Sequence, residues 1–222
     1  MDDRSKKGEP LESAAVKRKR GRPPKSRNAG YQDTRQALIG VGLAALTEKG
    51  YSYTGLDEIL RQAGVPKGSF YHYFDNKEAF GAALIEAYGR FFANKLERSL
   101  SDSNLSPLAR IQAFVDDARA GMHRFGYRRG CLIGNLGQEM AALPESFRSL
   151  LREVFQDWEA RVARVLEEAR QAGEIPGHIE PEQMAKFFWI GWEGAVLRAK
   201  LEQSPQPLDQ FAEGFMALVR SC

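Results

Sequence analysis

Cysteine is scarce in this chain of 222 residues: only Cys131 and Cys222 carry a thiol, and they lie far apart. Such a pair supplies neither a disulfide framework nor a zinc cluster. Long apolar runs are missing as well, since no stretch approaches the roughly 20 residues that span a bilayer. The opening MDDRSKKGEP also lacks the hydrophobic stretch of a secretory signal, so the expectation is a cytoplasmic protein with no membrane partner. No segment alternates in the manner of a β-strand, which leaves an all-α fold. Enzymatic machinery is thin too. A thiol hydrolase could pair Cys131 with His123 or His178, but nothing positions a third, orienting group. No catalytic residue, cofactor or metal is therefore expected.

What is present suits a soluble globular protein, with 43% hydrophobic and 27% charged residues and enough length to bury a core. The charge is unevenly placed. Residues 1–30 hold ten Lys or Arg against four Asp or Glu, whereas the remainder holds 22 against 25. A slightly acidic body is not drawn to nucleic acid in general, so affinity for phosphate must come from local basic surfaces. The 1–30 tail has no periodic apolar pattern and is rich in Lys, Arg, Pro, Gly and Ser, the composition of a disordered segment. Within it, Arg20-Gly21-Arg22-Pro23 is AT-hook-like: two arginines that can lie along a narrow minor groove around a glycine that lets the backbone sit close. A general electrostatic arm is the alternative, and an architectural DNA protein built on the hook is a rival for the whole chain.

The segment from Thr54 to Lys77, TGLDEILRQAGVPKGSFYHYFDNK, reads as two short helices around a tight turn. Leu56, Ile59, Leu60 and Ala63 recur at helical spacing on one face, and Thr54 with Asp57 makes a capping-box-like start. Gly64 permits the sharp turn, while Pro66 cannot continue the first helix but suits the opening of the next. The second helix, about Lys67 to Phe74, turns Phe70 and Phe74 inward. Lys67, Gly68, Ser69, Tyr71, His72 and Tyr73 then face a phosphate-lined groove, with Gly68 allowing close approach. Asp75 and Glu78 form a second capping-box-like pair that starts a long helix, with Lys77 in its first turn as another phosphate contact.

These residues carry a resemblance. GVPKGSFYHYFDNKEAF is similar to the recognition-helix signature of the TetR family of one-component bacterial repressors. The resemblance implies a basic tail over 1–30, a helix-turn-helix DNA-binding domain over 31–77 and a helical effector-binding and dimerisation domain over 78–222, about nine helices in all. Further expected helices run from Tyr31 to about Gly50, Asn76 to about Leu100, Ser106 to about Phe125, Gly130 to about Ala141, Pro144 to about Ala172, Pro181 to about Leu201 and Pro207 to about Arg220. In the penultimate one, Phe187, Phe188, Trp189, Ile190, Trp192, Val196 and Leu197 surround the helix. In a TetR-like protein that implies a ligand cavity on one side and a subunit partner on another. The partners implied are double-stranded operator DNA, a second copy of the chain and a small effector.

A second informative stretch is YRRGCLIGNLGQEM, from Tyr127 to Met140, where a cysteine follows two arginines at an expected helix N-terminus. Both features favour thiolate over thiol. With Gly191-Trp192 and Arg198-Ala199-Lys200-Leu201, the stretch resembles a narrower branch of the family whose repressors respond to acrylate or to electrophiles. By that resemblance Cys131 matches a reactive cysteine, and Lys200 a lysine able to bond reversibly with it. The candidate effector residues are Arg128, Arg129, Cys131, Asn135, Glu139, Trp189, Trp192 and Lys200. Two routes stay open. An unsaturated carboxylate such as acrylate could be held as an anion by Arg128, Arg129 or Lys200, or the Cys131 thiolate could add to an electrophilic alkene or be oxidised.

Overall fold

A computed structural model of the chain describes residues 27–221, of which 27–29 are described by backbone alone. The AT-hook-like segment at 20–23 and Cys222 lie outside the described residues. Among the described residues nine α-helices and one 3-10 turn follow one another without a strand. They are α1 (Arg27–Lys49), α2 (Leu56–Ala63), α3 (Lys67–Phe70), α4 (Lys77–Leu100), α5 (Pro107–Arg124), α6 (Leu132–Gln138), α7 (Ser146–Gln171), α8 (Pro181–Glu202) and α9 (Gln206–Arg220).

The first three helices close on a small aromatic centre. Phe70 packs on Phe74 and Phe80 with centroids 5.5 and 5.6 Å away, and Leu38, Leu46, Ile59 and Leu60 are buried with them. Gly64 takes the left-handed conformation (φ 67°) that ends α2, and Pro66, extended at φ −60° and ψ 143°, opens α3. Three local expectations are corrected. Thr54 does not cap α2: its buried hydroxyl donates to the Gly50 carbonyl at 2.5 Å, and Gly55 holds the cap position. The second helix of the motif is a single turn, Lys67–Phe70, continued by turn-type hydrogen bonds to Phe74. Finally, α4 is capped by Asn76, whose Oδ1 accepts from Ala79 N–H at 2.8 Å, rather than by Asp75 with Glu78. At the two caps several polar neighbours compete for the free N–H or C=O, and spacing alone does not rank such competitors.

Helix α4 joins the two halves. At Gly81 the ring of Tyr51, from the helix-turn-helix side, meets the ring of Phe147, from α7, edge to face at 5.3 Å. A Cβ on Gly81 would lie 2.8 Å from the first ring and 2.5 Å from the second, so glycine sets how close these elements come. Beyond it, α5, α7, α8 and α9 surround an aromatic core. Trp158 and Trp189 lie 4.9 Å apart, Phe92 packs on Trp158 at 4.4 Å, and Phe188 stacks on Trp192. Phe114 touches Phe92, Phe188, Trp189 and Trp192 at once.

Helix α8 uses its two faces differently. Ala185, Phe188, Trp189, Trp192, Ala195, Val196 and Ala199 are buried, while Phe187, Ile190, Leu197 and Leu201 form an outward apolar stripe, with Ile190 and Leu201 each 75% exposed. Because Phe114 is fully buried and bridges four other aromatics, Phe114→Ala is expected to lower unfolding free energy by about 3–5 kcal/mol, measured by chemical denaturation.

Candidate nucleic-acid interface and effector cavity

The helix-turn-helix presents a mixed outer face. Tyr71 is 56% exposed, and Lys67, Gly68 and His72 are exposed beside it. Lys67 is steadied by Asp57 at 3.0 Å, an exposed pair that phosphate oxygens can displace. A side chain on Gly68 would meet no atom of this chain, so internal packing does not demand glycine there. The remaining candidates are less free. Ser69 is half-buried, Tyr73 packs on Tyr31 at 4.7 Å, and Lys77 sits 4.4 Å over the Tyr51 ring while donating to the Tyr51 carbonyl at 3.4 Å. Tyr53, 85% exposed, was missed by sequence reasoning. Its signal was present as an aromatic immediately before the first helix of the motif, outside any periodic stripe.

Behind this face lies a cavity of ≈380 Å³ whose wall is shared between the two halves of the chain. Helix α1 contributes Gly40, Leu43, Ala44 and Thr47. Helix α4 adds Tyr88, Phe91, Phe92 and Lys95, and α8 adds Trp192 and Val196. The end of α5 supplies Arg124, and the segment that follows it supplies Phe125, Arg129, Gly130 and Cys131. Two consecutive left-handed residues, Gly126 (φ 56°) and Tyr127 (φ 55°), reverse the chain here. That reversal buries Tyr127 and leaves the Arg129 guanidinium 4.3 Å over the Phe125 ring. Three cations and no carboxylate line the cavity; Lys95 is paired with Asp117, at 3.2 Å, from outside that wall. Lys95 and Arg124 went unnoticed in the sequence, because they stand in α4 and at the end of α5, apart from the arginine pair.

Of the expected effector residues, Arg129, Cys131 and Trp192 reach this cavity. Arg128 points to solvent, and Trp189 is packed in the core at 2% exposure. Neither His123 nor His178 lines the cavity with Cys131. The other three candidates do a different job, at the end of α1. The last carbonyls of a helix have no partner within it. Here Asn135 Nδ2 donates to the Leu46 and Thr47 carbonyls at 3.3 and 3.1 Å. Gly130 N–H donates to Thr47 at 3.0 Å, and Lys200 Nζ to Glu48 at 2.8 Å. Immediately beyond, the Glu139 carboxylate accepts the N–H groups of Tyr51 and Ser52 at 3.1 and 2.8 Å. An ammonium at a helix C-terminus also opposes the negative end of the dipole. Burial pulls Lys200 below the usual lysine range, opposed by the Glu48 and Glu139 carboxylates.

Cys131 stands at the N-cap of α6 and is buried at 7% exposure. The expected depressed thiol pKa is overturned. Burial pushes the thiol well above its ordinary range, and the Glu193 carboxylate adjoining it adds to the shift. Both causes outweigh the helix N-terminus, whose Gly134 N–H favours the thiolate. Arg128 and Arg129 have no counteracting effect because one faces solvent and the other lies over Phe125. Glu193 itself is raised to about 7 by burial, opposed by a hydrogen bond from the thiol. Tyr88 completes the group, hydrogen-bonded to Cys131 and pushed well above the tyrosine range by burial.

Two families match parts of the chain. Residues 38–84 match the family described as bacterial regulatory proteins, tetR family, and residues 107–215 match the tetracyclin repressor-like C-terminal domain. The chain is 53% identical over 203 residues, 91% of its length and 92% of the relative's, to the transcriptional regulator AcuR of Cereibacter sphaeroides. It is 34% identical over 177 residues, 80% of its length and 89% of the relative's, to the HTH-type transcriptional repressor NemR of Escherichia coli K12. Among solved structures, regulatory protein TetR from Rhodobacter sphaeroides superposes with a TM-score of 0.81 at 55% identity, covering 82% of this chain and 97% of that one.

The Glu139 bonds give a direct check on the joint at α1. Glu139→Ala leaves the Tyr51 and Ser52 amides without their acceptor, a loss of about 1.5–3 kcal/mol per bond to a charged group. Amide hydrogen exchange at residues 50–54 is expected to accelerate while the core of α7 and α8 keeps its protection.

Proposed function

The chain belongs to the TetR family of bacterial transcriptional regulators and is a repressor rather than an enzyme; from that premise we propose that it binds its operator as a dimer and leaves it when a small unsaturated carboxylate, such as acrylate, or a related electrophile fills the cavity behind α1. The observation that carries this reading is the shared wall. Gly40, Leu43, Ala44 and Thr47 of α1 face Arg129 and Cys131 across one cavity, so an occupant presses on the helix that holds the helix-turn-helix. The lining of three cations without a carboxylate suits an anion, and the volume falls at the small end of the roughly 300–1,000 Å³ of small-molecule sites.

Release needs no catalysis. It needs an effector that binds the DNA-incompetent arrangement better than the competent one. A coupling of about 1–3 kcal/mol gives a useful allosteric response, and a single charged hydrogen bond at the end of α1 is of that size. Filling the cavity beside Gly130 therefore has only to disturb one or two of the bonds that Gly130, Asn135 and Lys200 make to α1. The outward stripe Phe187, Ile190, Leu197 and Leu201 on α8, together with Leu218 on α9, all at least 43% exposed, supports a subunit interface, because a contiguous apolar face of this kind is costly to leave in water. A two-fold partner would then set the spacing of the two recognition turns on paired half-sites. The basic segment 17–25, which lies outside the described residues, would add phosphate contacts.

Two variants test the two ends of this reading. Tyr71→Ala, on an exposed side chain, should weaken operator binding by about 1–3 kcal/mol in a mobility-shift titration with no change in melting temperature. Arg129→Ala should keep operator affinity and lose release by acrylate. If acrylate still frees the operator from this variant at the wild-type concentration, the anion is held elsewhere.

A further inference from the structure

One buried group has no part in the reading so far. Glu193 projects from α8 with Oε1 fully buried and without a hydrogen-bond partner. Its other oxygen, Oε2, is set against Gly134 in the first turn of α6, so close that a side chain there would overlap it. Cys131 Cβ lies 3.8 Å from that same position. The nearby carboxylate helps to keep the thiol protonated, and Cys131 itself lines the cavity. An ionisable carboxylate is costly to bury without a partner, and one open oxygen beside a thiol in a cavity wall is the arrangement a general base requires.

We propose that Glu193 is the base that takes the Cys131 thiol proton as the thiol adds to the β-carbon of an α,β-unsaturated effector in the cavity. The step rests on the reading of that cavity as the effector site. The S–H bond breaks and its proton passes to the Glu193 carboxylate. A sulfur lone pair forms the S–C bond at the β-carbon, and the π pair of the alkene moves toward the carbonyl. The α-carbon then takes the proton back, and the carboxylate is restored. Sulfur and hydrogen have added across the double bond with no oxidant and no leaving group. The reverse elimination uses the same base, so the adduct is reversible. The cations Lys95, Arg124 and Arg129 polarise an effector that is itself a carboxylate, offsetting the negative charge that makes its β-carbon a poor acceptor.

This arrangement accounts for a thiol that is buried and protonated yet faces a cavity. A resident thiolate would react with any alkylating agent or oxidant. A thiol deprotonated only during attack reacts with a molecule held against it. The groups facing Glu193 are Cys131, with Tyr88 of α4 behind it, and, from α7, Arg152 and Glu159 at the mouth of the groove that Glu193 shares with Trp189 and Ile190. Burial raises Glu193 to about 7, so its competence as a base rises with pH through neutrality, well below the range in which the thiol ionises by itself.

The test uses the full chain carrying Cys222→Ser, so that one thiol remains, and follows the mass of the intact protein during exposure to acrylate and to uncharged acrylamide across a pH series. The wild-type rate is expected to rise through about pH 7. Glu193→Gln should lower the neutral-pH rate by about 10²-fold and move the rise to the alkaline range of the free thiol. Gly134→Ala, which displaces the carboxylate without removing it, should give the same profile. If Glu193→Gln and wild type share one pH profile, Glu193 is not the base. Absence of any adduct while acrylate still releases the operator overturns the covalent step and leaves the effector site standing. Loss of both release and adduct in the wild type overturns the effector site as well.

Discussion

The structure depends on how the end of α1 is finished. A helix that stops inside a protein leaves carbonyls that must find donors, and α1 finds them in the other half of the chain: the Gly130 N–H, the Asn135 amide and the Lys200 ammonium. Glu139 continues the joint by accepting the first free N–H groups beyond it. These polar bonds act on the orientation of the helix-turn-helix beside the apolar contacts that Phe80, Leu84 and the Tyr51–Phe147 pair make around α4. Such bonds are directional and break over small displacements. A core of interlocked side chains would resist the same movement much more strongly.

The cavity is built into that joint. Gly130 and Cys131 belong to its wall, and Gly130 is also the residue whose N–H holds Thr47. Whatever binds there shares a residue with the clamp on α1, so no long relay is required between ligand and recognition turn. The aromatic core of Trp158, Trp189, Phe114 and Phe188 lies on the far side and gives the cavity a rigid back.

Much of this was legible in the sequence. The turn at Gly64 and Pro66 follows from backbone chemistry that only a few residues permit, and Phe70 with Phe74 follows from helical spacing, so the helix-turn-helix and its inward face could be read directly. The arginine pair and Cys131 singled out a segment of which Arg129 and Cys131 line the cavity, since a lone thiol after two cations is an unusual local pattern. The roles within that segment were not legible. Asn135, Glu139 and Lys200 look like ligand-binding groups in a list of polar residues. Whether each meets a ligand or the end of a helix depends on a packing distance between elements 87 to 152 positions apart in the chain.

The sequence by itself determined the helices and the turn that makes them a DNA-binding motif, because these rest on local backbone preference and on periodicity within one segment. Only the tertiary structure decided the state of Cys131. Local chemistry, a helix N-terminus and two neighbouring arginines, argued for a thiolate. Burial and a carboxylate from α8, 62 residues further along the chain by the positions of Cys131 and Glu193, reversed it. Electrostatic environment is set by what lies nearby in space and by how much water is excluded, and neither quantity is written in the order of the residues.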